Sequence, residues 1–91
     1  MPRDVSPESV QEEVKEFILR EFLPGESADE LDASTPLITS GVVDSIATLK
    51  LVDFLEQSYG IELQAHEVDP EHLDDLSRIA ALVTGKLNAG A

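Results

Sequence analysis

A serine beside a carboxylate, and two histidines among acids, are the residues of this sequence whose types could do chemistry. Asp44-Ser45 follows Gly41-Val42-Val43 and opens an amphipathic run at Ile46. A hydrolase built on Ser45 would need a base for the hydroxyl proton and donors for an oxyanion. The only histidines, His66 and His72, both stand in the connector before the last apolar run, and no Gly-x-Ser-x-Gly turn is present. These residues do not make a self-contained hydrolase, and no catalytic set is assigned. His66, Glu67, Glu71 and His72 are near one another, but their spacing matches no closed zinc site and reads as solvated surface. A glycine-rich phosphate loop is also missing. Ser45 can still serve as a hydroxyl that another enzyme modifies. That role needs an exposed helix start with a recognisable surface beside it. Asp44 and Ser45 equally suit a plain helix cap, in which a side-chain oxygen accepts from an orphan backbone N–H. The flanking sequence decides between the two.

The chain has 91 residues and no cysteine. This length makes one domain with a small core, and neither disulfides nor thiolate metal sites contribute. No stretch is long and apolar enough to span a bilayer. Met1-Pro2-Arg3-Asp4 lacks the apolar centre of a signal peptide, so a cytoplasmic, non-membrane protein is expected. Net charge is −13, from 19 acids against 6 bases. Nucleic acid is excluded as a partner, because phosphate contacts require Lys and Arg. Such acidity either keeps a small domain soluble or steers it to basic docking surfaces.

The elements that would position Ser45 are helical. Residues 1–5 look frayed. Ser6-Pro7-Glu8 is a helix start with Ser6 as cap, Pro7 first and Glu8 on the positive end of the dipole. Val10, Val14, Phe17, Ile18 and Phe22 then form one apolar stripe, predicting a helix over about residues 7–22 that ends before Pro24-Gly25. Residues 23–43 keep no period and read as a long loop, tacked to the core by Leu31, Leu37 and Ile38 and turning at Ser34-Thr35-Pro36. This loop allows the first two helices to lie antiparallel. Ile61-Glu62-Leu63 is a short extended connector. Asp69-Pro70 starts a short turn of helix completed by His72 and Leu73. Asp74 or Asp75 caps a last helix with Leu76, Ile79, Ala80, Val83 and Leu87 inward, ending before residues 88–91. No alternating pattern is long enough for a sheet. The expected fold is all-α: a small four-helix bundle of three main helices and a short third one, in a single domain with its core in about residues 7–88.

The second helix, about residues 45–58 with Gly60 as its left-handed stop, has two faces. At 100° per residue, Thr48, Leu51, Val52, Leu55 and Tyr59 point inward. Ile46, Leu49, Lys50, Asp53, Glu56 and Gln57 point outward. Two large aliphatics beside Ser45 are either scattered exposure or a small docking patch.

The run from Gly41 through Asp44-Ser45-Ile46 to Leu51-Val52-Asp53-Phe54-Leu55-Glu56-Gln57-Ser58-Tyr59-Gly60-Ile61 resembles the acyl carrier protein family. That family's pattern is Asp-Ser-Leu followed by a helix ending in Leu-Glu-x-x-Phe-Gly-Ile, and the order of elements over about residues 7–88 is similar. The resemblance implies a four-helix bundle whose serine carries 4′-phosphopantetheine through a phosphodiester. It implies Ser45 as the attachment site and Asp44 as the acid that helps a phosphopantetheinyl transferase place magnesium and substrate. Ile46 and Leu49 match apolar partner contacts, Glu56 an acidic recognition position, and Lys50 and Asp53 share that face. The arm ends in a thiol, so a chain without cysteine gains its working thiol from a cofactor.

Such a protein is a carrier with no activity of its own, expected as a monomer. It would hold acyl or aminoacyl thioesters for an activating ligase and downstream biosynthetic enzymes. Ala47 and Lys50 stand where fatty-acid-synthesis carriers usually place acids. Gly41-Val42-Val43-Asp44-Ser45 is similar to the run in D-alanyl and other stand-alone aminoacyl carriers. Both departures point to a specialised or secondary-metabolite pathway. The alternatives are an unmodified acidic interaction domain of the same fold, or the housekeeping fatty acid carrier.

Overall fold

The computed structural model describes residues 5–23, 25 and 31–89. Among them are four α-helices, one 3₁₀ turn and no strand. The first helix, α1 (Pro7–Phe22), begins where the sequence predicts. Ser6 is extended and accepts from the Ser9 N–H at 3.2 Å, while Ser9 Oγ accepts from the Ser6 N–H at 3.0 Å. Two orphan donors are thus satisfied reciprocally, with serine in the position where such boxes often use glutamate. Val10, Val14, Phe17 and Ile18 are buried; Phe22 is half-buried and meets the Phe17 ring edge-on. Of residues 1–5, expected to be frayed, residues 1–4 lie outside the described residues, as does Pro24. Val5 departs from that expectation, being half-buried and packed against the core.

The helix α2 (Ser45–Tyr59) buries Ala47, Leu51, Leu55 and Tyr59. Its inward face is therefore rotated from the one expected. Thr48 and Val52 are half-buried, and Thr48 turns its hydroxyl back to the Asp44 carbonyl at 2.7 Å. Gly60 stops the helix at φ 65°, where a side chain would be strained, and its N–H reaches the Glu56 carbonyl. Phe17 stacks on Phe54, and the Tyr59 hydroxyl donates to Glu13 at 3.0 Å. Residue numbers rise along α1 as they fall along α2 through these contacts, so the two helices are antiparallel.

Past a 3₁₀ turn at Ala65–Glu67, α3 (Pro70–Leu73) is a single turn of helix. Asp69 caps it by accepting from the His72 N–H at 3.0 Å. The last helix, α4 (Leu76–Ala89), runs slightly past its expected end and supplies Leu76, Ile79, Ala80 and Val83 to the core. It is the main packing partner of both α1 and α3. Leu31, Leu37 and Val43 from the loop are also buried, so the loop forms part of the core. Full burial of a Leu or Ile contributes about 1.5–3 kcal/mol.

Candidate modification site

Ser45 is placed by the loop before it, and the loop is held by residues far along the chain. Asp32 organises the first turn, its carboxylate accepting from the Ser34 N–H at 2.9 Å and the Thr35 hydroxyl at 3.0 Å. The Ser34 N–H, then the Thr35 hydroxyl, hold that carboxyl below its ordinary pKa. The Ala33 carbonyl accepts from the Ser77 N–H of α4. Next, Asp74 grips the loop. Its Oδ1 accepts from the Ile38 and Thr39 N–H groups, both at 2.9 Å, and its Oδ2 from the Thr39 hydroxyl at 2.9 Å. Its carbonyl accepts from the Leu37 N–H at 2.6 Å. Of the two candidate caps for α4, Asp75 does that work, accepting from the Arg78 N–H at 2.7 Å.

Gly41 then reverses the chain at φ 88°, a left-handed conformation that a side chain would strain. Val43 plugs into the core and donates its N–H to the Leu37 carbonyl. Asp44 is extended and accepts from the Ala47 N–H at 2.8 Å. Asp44 alone is thus the cap. Ser45 is the first helical residue, exposed, and its hydroxyl makes no hydrogen bond among the described residues. The rigid helix start fixes the position of the oxygen without engaging it.

Ser45 opens onto a cleft of 470 Å³ between the loop, α2 and α3, walled by Ile38, Val43, Leu49, Val68 and Pro70. On the outer face of α2, Ile46 and Leu49 are 69% and 67% exposed, and Lys50 and Asp53 are exposed beside them. Glu56 departs from its expected place. It is half-buried, and its carboxylate accepts from the Leu63 N–H at 2.9 Å, tying α2 to the connector. Glu67 pairs with Lys86 at 2.7 Å, and His72 Nδ1 lies 2.8 Å from Asp69. Among the described residues, no three His, Cys, Asp or Glu side chains are grouped to hold a metal ion.

No family model matches the chain. It is 39% identical over 66 residues to the probable acyl carrier protein PigG of Serratia sp. (strain ATCC 39006), a match covering 72% of this chain and 75% of that protein. The chain belongs to the acyl carrier protein family. The carrier fold is also similar to a chain in a solved structure described as a crystal structure of an FAD-dependent dehydrogenase. That likeness has a TM-score of 0.69 at 37% identity and covers 77% of the carrier and 97% of the solved chain. Among the described residues of the carrier, no helix is long and apolar enough to cross a membrane.

Asp74 is the carrier residue that the sequence hides best, and it has two measurable consequences. The Thr39 N–H, supported by the Thr39 hydroxyl and the Ile38 N–H, holds its carboxyl below the ordinary value of 3.8. A carboxyl lowered on folding contributes stability that is complete above its unfolded pKa and is lost as pH falls through its folded one. The latch should therefore hold at neutral pH and fail below about pH 4. Asp74→Ala should destabilise the carrier by about 1–2 kcal/mol at pH 7, since part of the lost bonding is recovered from water. Melts of parent and variant across pH would show the gap closing in acid.

Proposed function

We propose that Ser45 bears a 4′-phosphopantetheine arm on which this carrier holds acyl or aminoacyl groups for partner enzymes of a specialised biosynthetic pathway. The observation that supports this most is the exposed, unbonded Ser45 hydroxyl on the first residue of α2, directly after Asp44. Its surroundings suit the group, since a flexible arm leaving this oxygen meets a cleft that mixes apolar walls with Thr48 and Asp69 on one side and open solvent on the other. The arm supplies a terminal thiol that binds cargo as a thioester.

The chain's own residues have limited tasks. Ser45 Oγ is the nucleophile toward the β-phosphate of coenzyme A, its proton passes to a base on the transferase, and adenosine 3′,5′-bisphosphate leaves. Asp44 has one oxygen committed to the Ala47 N–H and a second one free to meet the transferase's magnesium. The loop and Asp74 keep both residues in place. Choice of cargo belongs to the ligase that activates it. The dehydrogenase structure that contains a similar chain supports a flavin-dependent dehydrogenase as one downstream partner. A thioester acidifies its α-carbon. The flavin of such an enzyme would supply the hydride-accepting chemistry, and the carrier's part would be to present the thioester-bound group to it.

The test is stepwise. The carrier is incubated with a broad-specificity transferase, coenzyme A and magnesium, then with ATP, candidate acids and activating ligases. One phosphopantetheine, followed by a hydroxylamine-labile acyl mass, is expected. A protein that folds normally yet takes no phosphopantetheine would instead be an acidic interaction domain.

Lys50 separates this carrier from the housekeeping type. Enzymes of general fatty acid synthesis meet a carboxylate at that position in the commoner carriers and offer it a base, so Lys50 repels them. They should use the parent poorly, and Lys50→Glu should raise their kcat/KM severalfold at low salt. Salt should shrink the gain, because exposed pairs are screened. Equal use of both proteins would make Lys50 an ordinary solvated residue.

A further inference from the structure

A lysine amine is a nucleophile as well as a charge, and a thioester is an acyl donor. The chain has three lysines, Lys15, Lys50 and Lys86. Their surroundings differ. The Lys86 side chain is 22% exposed, and its Nζ lies 2.7 Å from a Glu67 oxygen. Lys15 is half-buried and lines a hollow with Glu12, Leu31, Asp32 and Leu76, none of which lines the Ser45 cleft. Lys50 is exposed and is the only base of α2.

Lys50 also shares a helix with the modification site. It follows Ser45 by five residues, about 7.5 Å further along the axis of α2. An open pocket of 340 Å³ at the head of α2 is lined by Asp44, Ile46, Ala47 and Lys50, so the lysine borders the residue directly before Ser45. A neighbouring groove of 560 Å³ also reaches Lys50 and has Phe17, Ile46, Leu49 and Phe54 in its walls. An acyl group swung to this side finds apolar contact within reach of an amine.

We propose that Lys50 is a self-acylation site, which takes the acyl group from this carrier's own arm when partner enzymes leave it there. The inference rests on the carrier reading and adds to it a fate for idle cargo. The Lys50 Nζ lone pair attacks the thioester carbonyl. A carbon–nitrogen bond forms, the carbon–sulfur bond breaks, and the proton lost by the amine ends on the departing thiol. The products are an amide on Lys50 and a free arm, and no further reactant is consumed. The tether is what makes a surface lysine reactive. A short flexible linker holds its cargo at roughly millimolar effective concentration, about a hundredfold or more above a micromolar donor in solution. A lysine attacks only as the free amine, so transfer is slow beside enzymatic turnover and reaches carriers left loaded. It removes the positive charge of Lys50 and leaves Asp53 as the exposed charge of α2.

The carrier is loaded by a broad-specificity transferase with butyryl-coenzyme A, freed of excess donor and held at mildly alkaline pH. Hydroxylamine then strips the thioester and spares amides. Intact mass should show one resistant butyryl group accumulating per chain, and peptide mapping should place it on Lys50. The rate should be constant over an about tenfold range of protein concentration. It should exceed by about a hundredfold the rate for unmodified carrier mixed with an equimolar amount of free butyryl-coenzyme A. Lys50→Arg, which keeps the charge, should load normally and lose the resistant mass. A loaded carrier that gains no resistant mass would overturn the proposal. So would a butyryl group found instead on Lys15, Lys86 or the amino terminus, or a rate that rises with protein concentration. Loading without transfer overturns only the self-acylation. A chain that takes no butyryl-phosphopantetheine overturns the carrier reading and the self-acylation together.

Discussion

Leu55→Ala is expected to remove a large share of the domain's stability. Leu55 is fully buried on the inward face of α2, in one cluster with Leu51, Ile18, Ile79 and Val83. Truncating a leucine there removes its transfer energy and leaves a cavity that neighbours fill only partly, at a cost of about 2–5 kcal/mol. Single domains hold about 5–15 kcal/mol in total, and a chain with so small a core lies towards the lower end. Thermal melts followed by circular dichroism should show a large drop in midpoint. Leu49→Ala is the control: its parent side chain is 67% exposed, and the melt should move little. A Leu55→Ala protein as stable as the parent would show that α2 does not face the core as described.

Ser45→Ala should abolish phosphopantetheine addition with almost no change in stability. An isolated serine at a helix mouth suggests a cap whose loss costs about 1 kcal/mol. Here the cap is Asp44, which accepts from the Ala47 N–H, while the Ser45 hydroxyl bonds to nothing among the described residues. Alanine is also a good helix former at the first helical position. The variant should therefore melt within a few tenths of a kcal/mol of the parent and take up no arm. Asp44→Ala should show the converse stability effect, a loss of about 1 kcal/mol. A Ser45→Ala protein that still gains mass would sink the assignment of the site.

The helices were legible because their signals are local. Ser6-Pro7 and Asp69-Pro70 combine a cap with a residue preset for the first helical turn, and both start helices as read. The stripes of α1 and α4 are continuous, so their inward faces follow from spacing alone. The face of α2 was less distinct. Ala47 and Thr48 are adjacent, and hydrophobicity barely separates them; burial went to Ala47 because Thr48 satisfies its hydroxyl on the Asp44 carbonyl. Val43 read as part of a loop, although it is as buried as any helical residue. Contacts distant in sequence left no local mark. Asp74 and Asp75 look like equivalent caps, and only the fold brings Ile38 and Thr39 to Asp74. Glu56 likewise resembles a surface acid until the connector returns to place the Leu63 N–H beside it. The place of Phe54 likewise depends on the packing of α1 against α2, since its ring stacks on Phe17.

The most direct test of the account is to locate the modification. The purified chain is treated with transferase, coenzyme A and magnesium, digested, and its peptides sequenced by tandem mass spectrometry. The account predicts a single phosphopantetheine, on the peptide containing Asp44-Ser45-Ile46 and attached to Ser45. Addition at any other hydroxyl, or a folded protein that remains unmodified under conditions that fully convert a control carrier, would contradict it.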